Sequence, residues 1–193
     1  MSSKSGYYTE EELINLGLKK TGANVKISRR ANLYNLDQME FGHDVRIDDF
    51  CVLSGKLVFG NNIHITPYCL LAGADEGIYL EDFTTVAYRC SIFTRSDDYT
   101  GGTLVNSTIP EKYRYNTIKK AVYIKRHAII GANSVVFPGA DIGAGTSVGA
   151  MSLVLKPTED WSIYVGSPAR KLKDRKKDLL AQEKEYLGGL EFS

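Results

Sequence analysis

A period of six runs through this sequence. Ile124, Ile130, Val136, Ile142, Val148 and Val154 follow one another at six-residue intervals. The same rhythm runs earlier through Phe41, Ile47, Leu53, Phe59, Ile65 and Leu71, slips by three residues, and resumes at Leu80, Val86 and Ile92. A helix repeats its apolar face about every 3.6 residues and a strand every second one, so neither produces this spacing. A three-sided coil does, with one short strand per side and one bulky aliphatic pointing inward per strand. No coil buries its apolar face alone, so coils stack into a prism. Two residues before the aliphatics stand Ala128, Ser134, Ala140, Thr146 and Ser152, small enough for a corner. Gly131, Gly143 and Gly149 follow the aliphatics directly, which suits either tight backbone packing or a strained turn. The phases predict five full coils, at 41–58, 59–76, 80–97, 124–141 and 142–159.

The cysteines obey the same arithmetic. Cys51 and Cys69 are 18 residues apart, and Cys90 follows after 21, one coil plus the three-residue slip. Ser134 and Ser152 occupy the same slot further on, so the three Cys read as small buried residues rather than nucleophiles. Their odd number and unpaired spacing give no zinc site or disulfide framework, and free thiols suit a reducing cytoplasm. With 193 residues the chain reads as one domain, 1–193. A formal charge of +1 gives no support to nucleic-acid or anionic-membrane partners. An apolar fraction of 43% with five Pro argues against disorder. No apolar run is long enough to span a bilayer, and the polar opening at 1–8 argues against a secretory signal.

The ends and the interruptions carry further detail. Thr9 and Glu12 form a capping box for a helix over 9–20 within an N-terminal segment 1–22, with Leu13, Leu16 and Leu18 on its apolar side and Gly22 to close it. Residues 23–40 read as an irregular lead-in, within a prism spanning 23–159. Beyond it, 160–193 form an exit segment and a helix over 172–187, with Leu172, Leu179, Leu180 and Leu187 as its contacts and a basic, solvated face. Two insertions, at 73–78 and about 93–121, both follow the third strand of a coil and so leave the prism at one edge. A long excursion in a compact domain is usually functional or disordered, and this one holds Asp97, Asp98, Tyr99, Tyr113 and Tyr115, which suits an ordered binding loop, with edge-strand protection or subunit contact as the alternative role.

Directly after the last coil comes Gly166-Ser167-Pro168-Ala169-Arg170. Hexapeptide coils followed by this segment resemble the left-handed parallel β-helix acyltransferases, over roughly 25–175. The segments at 62–65, 96–99 and 149–154 carry a narrower likeness to the sugar acetyltransferases of bacterial surface-polysaccharide pathways, galactoside acetyltransferase among them. The resemblance implies a mainly β protein, a left-handed parallel β-helix of about five coils with a helix at each end and a loop extruded from one edge. It also implies acetyl-CoA as acyl donor, a sugar or nucleotide-sugar acceptor in O-antigen or capsule (lipopolysaccharide) biosynthesis, and a cytoplasmic homotrimer with active sites between subunits. By the same likeness the pantetheine arm passes the backbone near Ala132 and Ala150, and the nucleotide end lies near Lys156, Arg170 and Lys173.

Acyl transfer from a thioester needs a deprotonated acceptor and a stabilised oxyanion. Of the three histidines, His64 should point outward from its strand and is the candidate base, whereas His43 and His127 fall at turns facing solvent. Galactoside acetyltransferase-like enzymes place their catalytic His just after the strand that here ends at Ile92, and Asp97 holds that slot in this chain. This departure favours an amine acceptor, which needs less help than a hydroxyl. Asp97 or Asp98 would hold its ammonium and accept its proton, as on a dTDP-4-amino-4,6-dideoxyhexose. Asp75, Glu76 and Tyr99 are acceptor-binding candidates, and no metal is required. The alternatives are an O-acetyltransferase with His64 as general base and a non-catalytic solenoid that binds or assembles. A hundredfold loss of kcat in His64→Ala would mark base catalysis on a hydroxyl, and a smaller one an amine. A γ-class carbonic anhydrase would need three converging His, and gaps of 21 and 63 residues provide no close pair.

Overall fold

The computed structural model describes residues 6–190, so the opening residues 1–5, on which the argument against a secretory signal partly rests, lie outside it. The period of six folds as expected into a left-handed parallel β-helix. Its first face stacks strands Lys20–Thr21, Met39–Phe41, Leu57–Phe59, Ile78–Leu80, Val122–Ile124 and Asp141–Ile142. The second stacks Lys26–Ile27, Val45–Ile47, Ile63–Ile65, Thr85–Val86, Ile129–Ile130, Ser147–Val148 and Ser162–Val165. The third stacks Asn32–Tyr34, Val52–Ser54, Leu70–Ala72, Ser91–Phe93, Val135–Val136 and Leu153–Val154. Every aliphatic of the repeat is buried along the axis. Each contributes about 1.5–3 kcal/mol by leaving water.

The corners show why certain residue types recur. Three residues before the inward aliphatic of the second face the backbone is left-handed, at Asn24, Asp44, Asn62, Phe83 and His127 (φ 56 to 63°). Asn and Asp adopt this conformation readily, whereas Phe and His occupy it because the stacked coils above and below hold them there. The glycines after the aliphatics have a different reason. A Cβ on Gly42 would lie 2.4 Å from the Gly60 carbonyl oxygen, and one on Gly131 2.5 Å from the Ala150 nitrogen. None of these glycines has positive φ, so close approach of successive coils, not backbone strain, excludes a side chain. The small column is also as expected: Cys51, Cys69, Cys90, Ser134 and Ser152 are all buried. The Cys90 thiol donates to the Gly131 carbonyl (3.1 Å) and the Ser134 hydroxyl to the Gly149 carbonyl (3.0 Å). Hydrogen bonding to the Cys69 sulfur, together with burial, raises the Cys51 and Cys90 thiols above their usual range.

Several expectations are corrected. The prism has about seven turns rather than five, because the lead-in at 23–40 is itself a coil and Ser162–Val165 adds a further strand on the second face beyond 159. Ile27 and Leu33 keep the phase, and a 3-10 turn at Leu36–Gln38 absorbs two extra residues before Phe41. The first helix, α1, covers only Glu10–Asn15 and is closed by Leu16 and Gly17 (φ 82°), not Gly22. Its capping box is present, and Leu13, Leu16 and Leu18 pack on the open end of the core. The helix stops early because Lys20–Thr21 pairs with the edge strand Met39–Phe41.

At the other end, the basic run forms a strand and linker before the helix begins. Arg170–Asp174 turns back antiparallel on Ser162–Val165 and covers an edge that would otherwise be unpaired. The second helix, α2, spans Leu179–Leu190. Leu172, Leu180 and Leu187 are exposed, and α2 is anchored by Glu183 on Arg126 and His127 and by Tyr186 on Asn62 instead. His127 therefore does not face solvent: it is buried between Phe83 (5.2 Å) and Trp161 (6.1 Å), with Nε2 2.9 Å from Glu183.

Two substitutions separate packing from chemistry. Gly42→Ala drives a methyl into the next coil's backbone and should cost about 1–3 kcal/mol in urea unfolding. Cys69→Ser keeps the column's size and donor and should retain full activity, and a native protein whose turnover vanished in that variant would return the thiol to consideration as a nucleophile.

Candidate active site

His64 lies mid-strand on the second face, pointing outward between Arg46 and Thr85 of the neighbouring strands. Its Nε2 is 2.8 Å from Oδ2 of Asp48. Asp48 directly follows the inward Ile47, so the chain carries its carboxylate into the corner, where its side chain is only 8% exposed. Its other oxygen, Oδ1, accepts from the Tyr7 hydroxyl and from Arg46 Nε, both at 2.7 Å. Burial alone would raise the Asp48 pKa, but hydrogen bonds from His64, Tyr7 and Arg46 outweigh it and hold the carboxyl below its usual range. Sequence reasoning missed Asp48, Arg46 and Tyr7. The available signal was spacing: 16 residues from Asp48 to His64 is one coil less two, which sets them side by side in adjacent coils.

The two insertions meet at one edge, as their phase predicts. Arg95 binds Asp75 (2.5 Å) and Glu76 (2.9 Å), tying the short insertion to the root of the long one. The long loop is closed at its base by Arg95–Ser96 pairing antiparallel with Ile118–Lys119. Between them opens a cavity of about 510 Å³ lined by Asp75, Arg95, Asp97, Glu111, Arg114 and Lys119 among others. Asp97 faces it, 3.8 Å from Arg114, and accepts from the Asn106 amide (2.9 Å). Asp98 is differently employed. Its carboxylate accepts from the Thr100 hydroxyl (2.6 Å), the Thr100 and Thr103 amides (2.8 and 3.1 Å) and Asn116 (3.3 Å). The Thr100 bonds foremost hold its pKa down at about 2. Tyr99 is 86% exposed beside them. Within one chain His64 and Asp97 stand on different parts of the prism, on the second face and at the edge after the third.

At the C-terminal end, Lys156 and Arg170 line one cavity of about 100 Å³ with Tyr164 and Pro168. Lys171 is neutralised by Glu159 and Asp174, both at 2.8 Å. Lys156, Arg170 and Lys173 have no carboxylate partner among the described residues. Ala132 is half-buried and its carbonyl accepts from the Met151 amide (2.8 Å), while Ala150 is exposed. No group of His, Cys, Asp or Glu among the described residues is placed to hold a metal ion. No helix among them is long and apolar enough to cross a membrane.

No protein-family model matches the chain. Among curated proteins, a dTDP-4-amino-4,6-dideoxy-D-glucose acyltransferase of Escherichia coli is 35% identical over 183 residues, covering 93% of this chain and 94% of that one. The chain belongs to this acyltransferase family. AntD, an N-acyltransferase from Bacillus cereus solved with dTDP and 3-hydroxybutyryl-CoA, is 42% identical, with a TM-score of 0.95 over 97% of this chain and 99% of its own. A variant of AntD solved with dTDP-4-amino-4,6-dideoxyglucose and coenzyme A superposes with a TM-score of 0.94 over 96% and 99% of the two chains, also at 42% identity. A hexapeptide-repeat acetyltransferase from Vibrio cholerae, 19% identical with a TM-score of 0.56 over 90% of this chain and 84% of its own, shares the fold alone. Family membership favours the amine-directed transferase over both the hydroxyl-directed enzyme and the non-catalytic solenoid.

The long loop of this chain is held by Asp98. Its depressed pKa means the order it contributes is complete above the ordinary aspartate value of 3.8 and is lost as pH falls through about 2. Asp98→Asn should therefore speed proteolytic cutting between residues 98 and 116 at neutral pH. Unchanged cutting would show that the carboxylate does not hold the loop.

Proposed function

We propose that this protein transfers an acetyl group from acetyl-CoA to the amino group of a dTDP-linked 4-amino-4,6-dideoxyhexose, as a cytoplasmic step in surface-polysaccharide (O-antigen or capsule, lipopolysaccharide) biosynthesis. The observation that carries this is likeness along nearly the whole chain to AntD, which was solved with that aminosugar nucleotide and with coenzyme A. The donor site fits the chemistry. Lys156 and Arg170, with Lys173 close by on the returning strand, supply unneutralised cations for a phosphorylated nucleotide, and the backbone at Ala132 and Ala150 borders the pantetheine arm. At the acceptor site, Asp97 holds the ammonium in the loop cavity that Asp75 also lines, whereas Tyr99 stands exposed to solvent and is not part of that lining. Glu76 and Asp98 serve as supports, the first gripping Arg95 and the second the loop that presents Asp97.

The active site forms between subunits of a homotrimer, where the loop of one chain lies over the second face of the next and brings Asp97 to His64. The outward side of the third face supports this assembly. Val52, Leu70, Val135 and Leu153 run along it with no charged residue in their column, edged by exposed Phe50, Tyr68, Tyr88 and Met151. His64 accepts the proton the amine sheds. Because an amine is already a competent nucleophile, this help is smaller than a hydroxyl would need.

Thiol release from acetyl-CoA, followed spectrophotometrically, tests the reading. Turnover is expected with dTDP-4-amino-4,6-dideoxyglucose and should fall at least about 100-fold with the 4-hydroxy analogue. His64→Ala should lower kcat by less than about 100-fold on the amine. Equal turnover of the hydroxyl analogue would replace the N-acyl assignment with the O-acyl one.

A further inference from the structure

Three cations line the cavity between the insertions, and two of them are already spent. Arg95 holds Asp75 (2.5 Å) and Glu76 (2.9 Å), and Lys119 is paired with Glu111. Arg114 is different. Its carboxylate neighbour, Oδ1 of Asp97, stands 3.8 Å from Nη1, beyond hydrogen-bond reach. The loop's own backbone pins each of the two instead. Arg114 Nε donates to the Ile109 carbonyl (2.8 Å), and Asp97 Oδ2 accepts from the Asn106 amide (2.9 Å). Among the described residues, then, both terminal nitrogens of Arg114 and Oδ1 of Asp97 have no hydrogen-bond partner. The Arg114 side chain is only 21% exposed, so water makes up little of the deficit.

We infer that Arg114 is the anion subsite of the acceptor cavity: it grips the diphosphate of a nucleotide-linked aminosugar while Asp97 takes the ammonium. The inference rests on the aminosugar-nucleotide reading and gives its two opposite charges separate partners. In a 4-amino-4,6-dideoxyhexose the amine on C4 lies across the ring from the phosphate on C1. A cavity of about 510 Å³ is within the size range of small-molecule sites. A guanidinium can offer a phosphate two parallel charge-assisted bonds, and the unpaired terminal nitrogens of Arg114 are the ones that would form them. A phosphate on Arg114 also offsets the positive charge 3.8 Å from Asp97, which leaves that carboxylate free to attract the ammonium. A sugar without the diphosphate would satisfy Asp97 and leave Arg114 unpaired, so the pair selects sugars still attached to their nucleotide.

Calorimetric binding of dTDP to the full-length protein isolates the anion half, because dTDP carries no amine. Arg114→Gln should weaken it at least about tenfold, the loss expected when a charge-assisted hydrogen bond is removed. Arg114→Lys keeps the charge but not the fork, and its affinity should fall between those of the Gln variant and the wild type. In turnover, the preference for dTDP-4-amino-4,6-dideoxyglucose over methyl 4-amino-4,6-dideoxyglucoside, taken as a ratio of kcat/KM, should drop at least about tenfold in Arg114→Gln. An unchanged ratio overturns the inference, because loss of loop order alone lowers both substrates together. So does wild-type affinity for dTDP in Arg114→Gln. Failure of the underlying reading looks different. If dTDP binds in an Arg114-dependent way and the aminosugar nucleotide is not acetylated, the anion subsite stands and the acceptor assignment falls.

Discussion

Successive coils lie one strand spacing apart, about 4.8 Å, and everything else in the molecule follows from holding that distance. Parallel backbone ladders on three faces set it, and the stacked aliphatics along the axis fill the interior it leaves. The same spacing forbids a Cβ at Gly42, Gly60 and Gly131, because the next coil's atoms already occupy the place. It also makes columns: any side chain at a given phase meets its counterparts above and below. Buried, such a column becomes the cysteine–serine stack. Outward, it becomes a row of potential function.

His64 shows how an outward column gathers polar partners. Along the second face the outward row reads Lys26, Arg46, His64, Thr85, Ile129 and Ser147. Asp48, one residue past the inward Ile47, reaches the same side as Arg46 and so finds His64 one coil on. Paired strands in adjacent coils fix the spacing of the two side chains. The edge that carries the two insertions is built on the opposite principle. There the repeat is broken twice at one edge, and the excursions are held by short polar contacts around Arg95 and Asp98. A loop on a rigid scaffold allows substrate choice to vary without disturbing the core.

The prism, its phases and the buried cysteines were legible because the period is strict and the same physics repeats at every coil. The shared edge of the two insertions was legible for the same reason. The ends were not. The capping box at Thr9 and Glu12 was read correctly, but the length of α1 was set by an edge strand that captured Lys20 and Thr21. The basic run from Lys171 looked helical until the need to pair Ser162–Val165 drew Arg170–Asp174 into the sheet. His127 sits at a turn, where sequence placed it in solvent, and α2 covers it.

By itself the sequence determined the solenoid, its inward residues and the place where the chain leaves it, and through the resemblance at Gly166–Arg170 it pointed to acyl transfer, the Asp in place of a His only leaning the acceptor toward an amine. Local periodicity suffices for these because each is decided within one or two coils. The tertiary structure alone decided which carboxylate partners His64, that Asp98 is spent on its own loop while Asp97 faces the cavity, and which lysines remain without counter-ions. Those are contests among several candidate partners separated in sequence, and only the distances between them pick the winner.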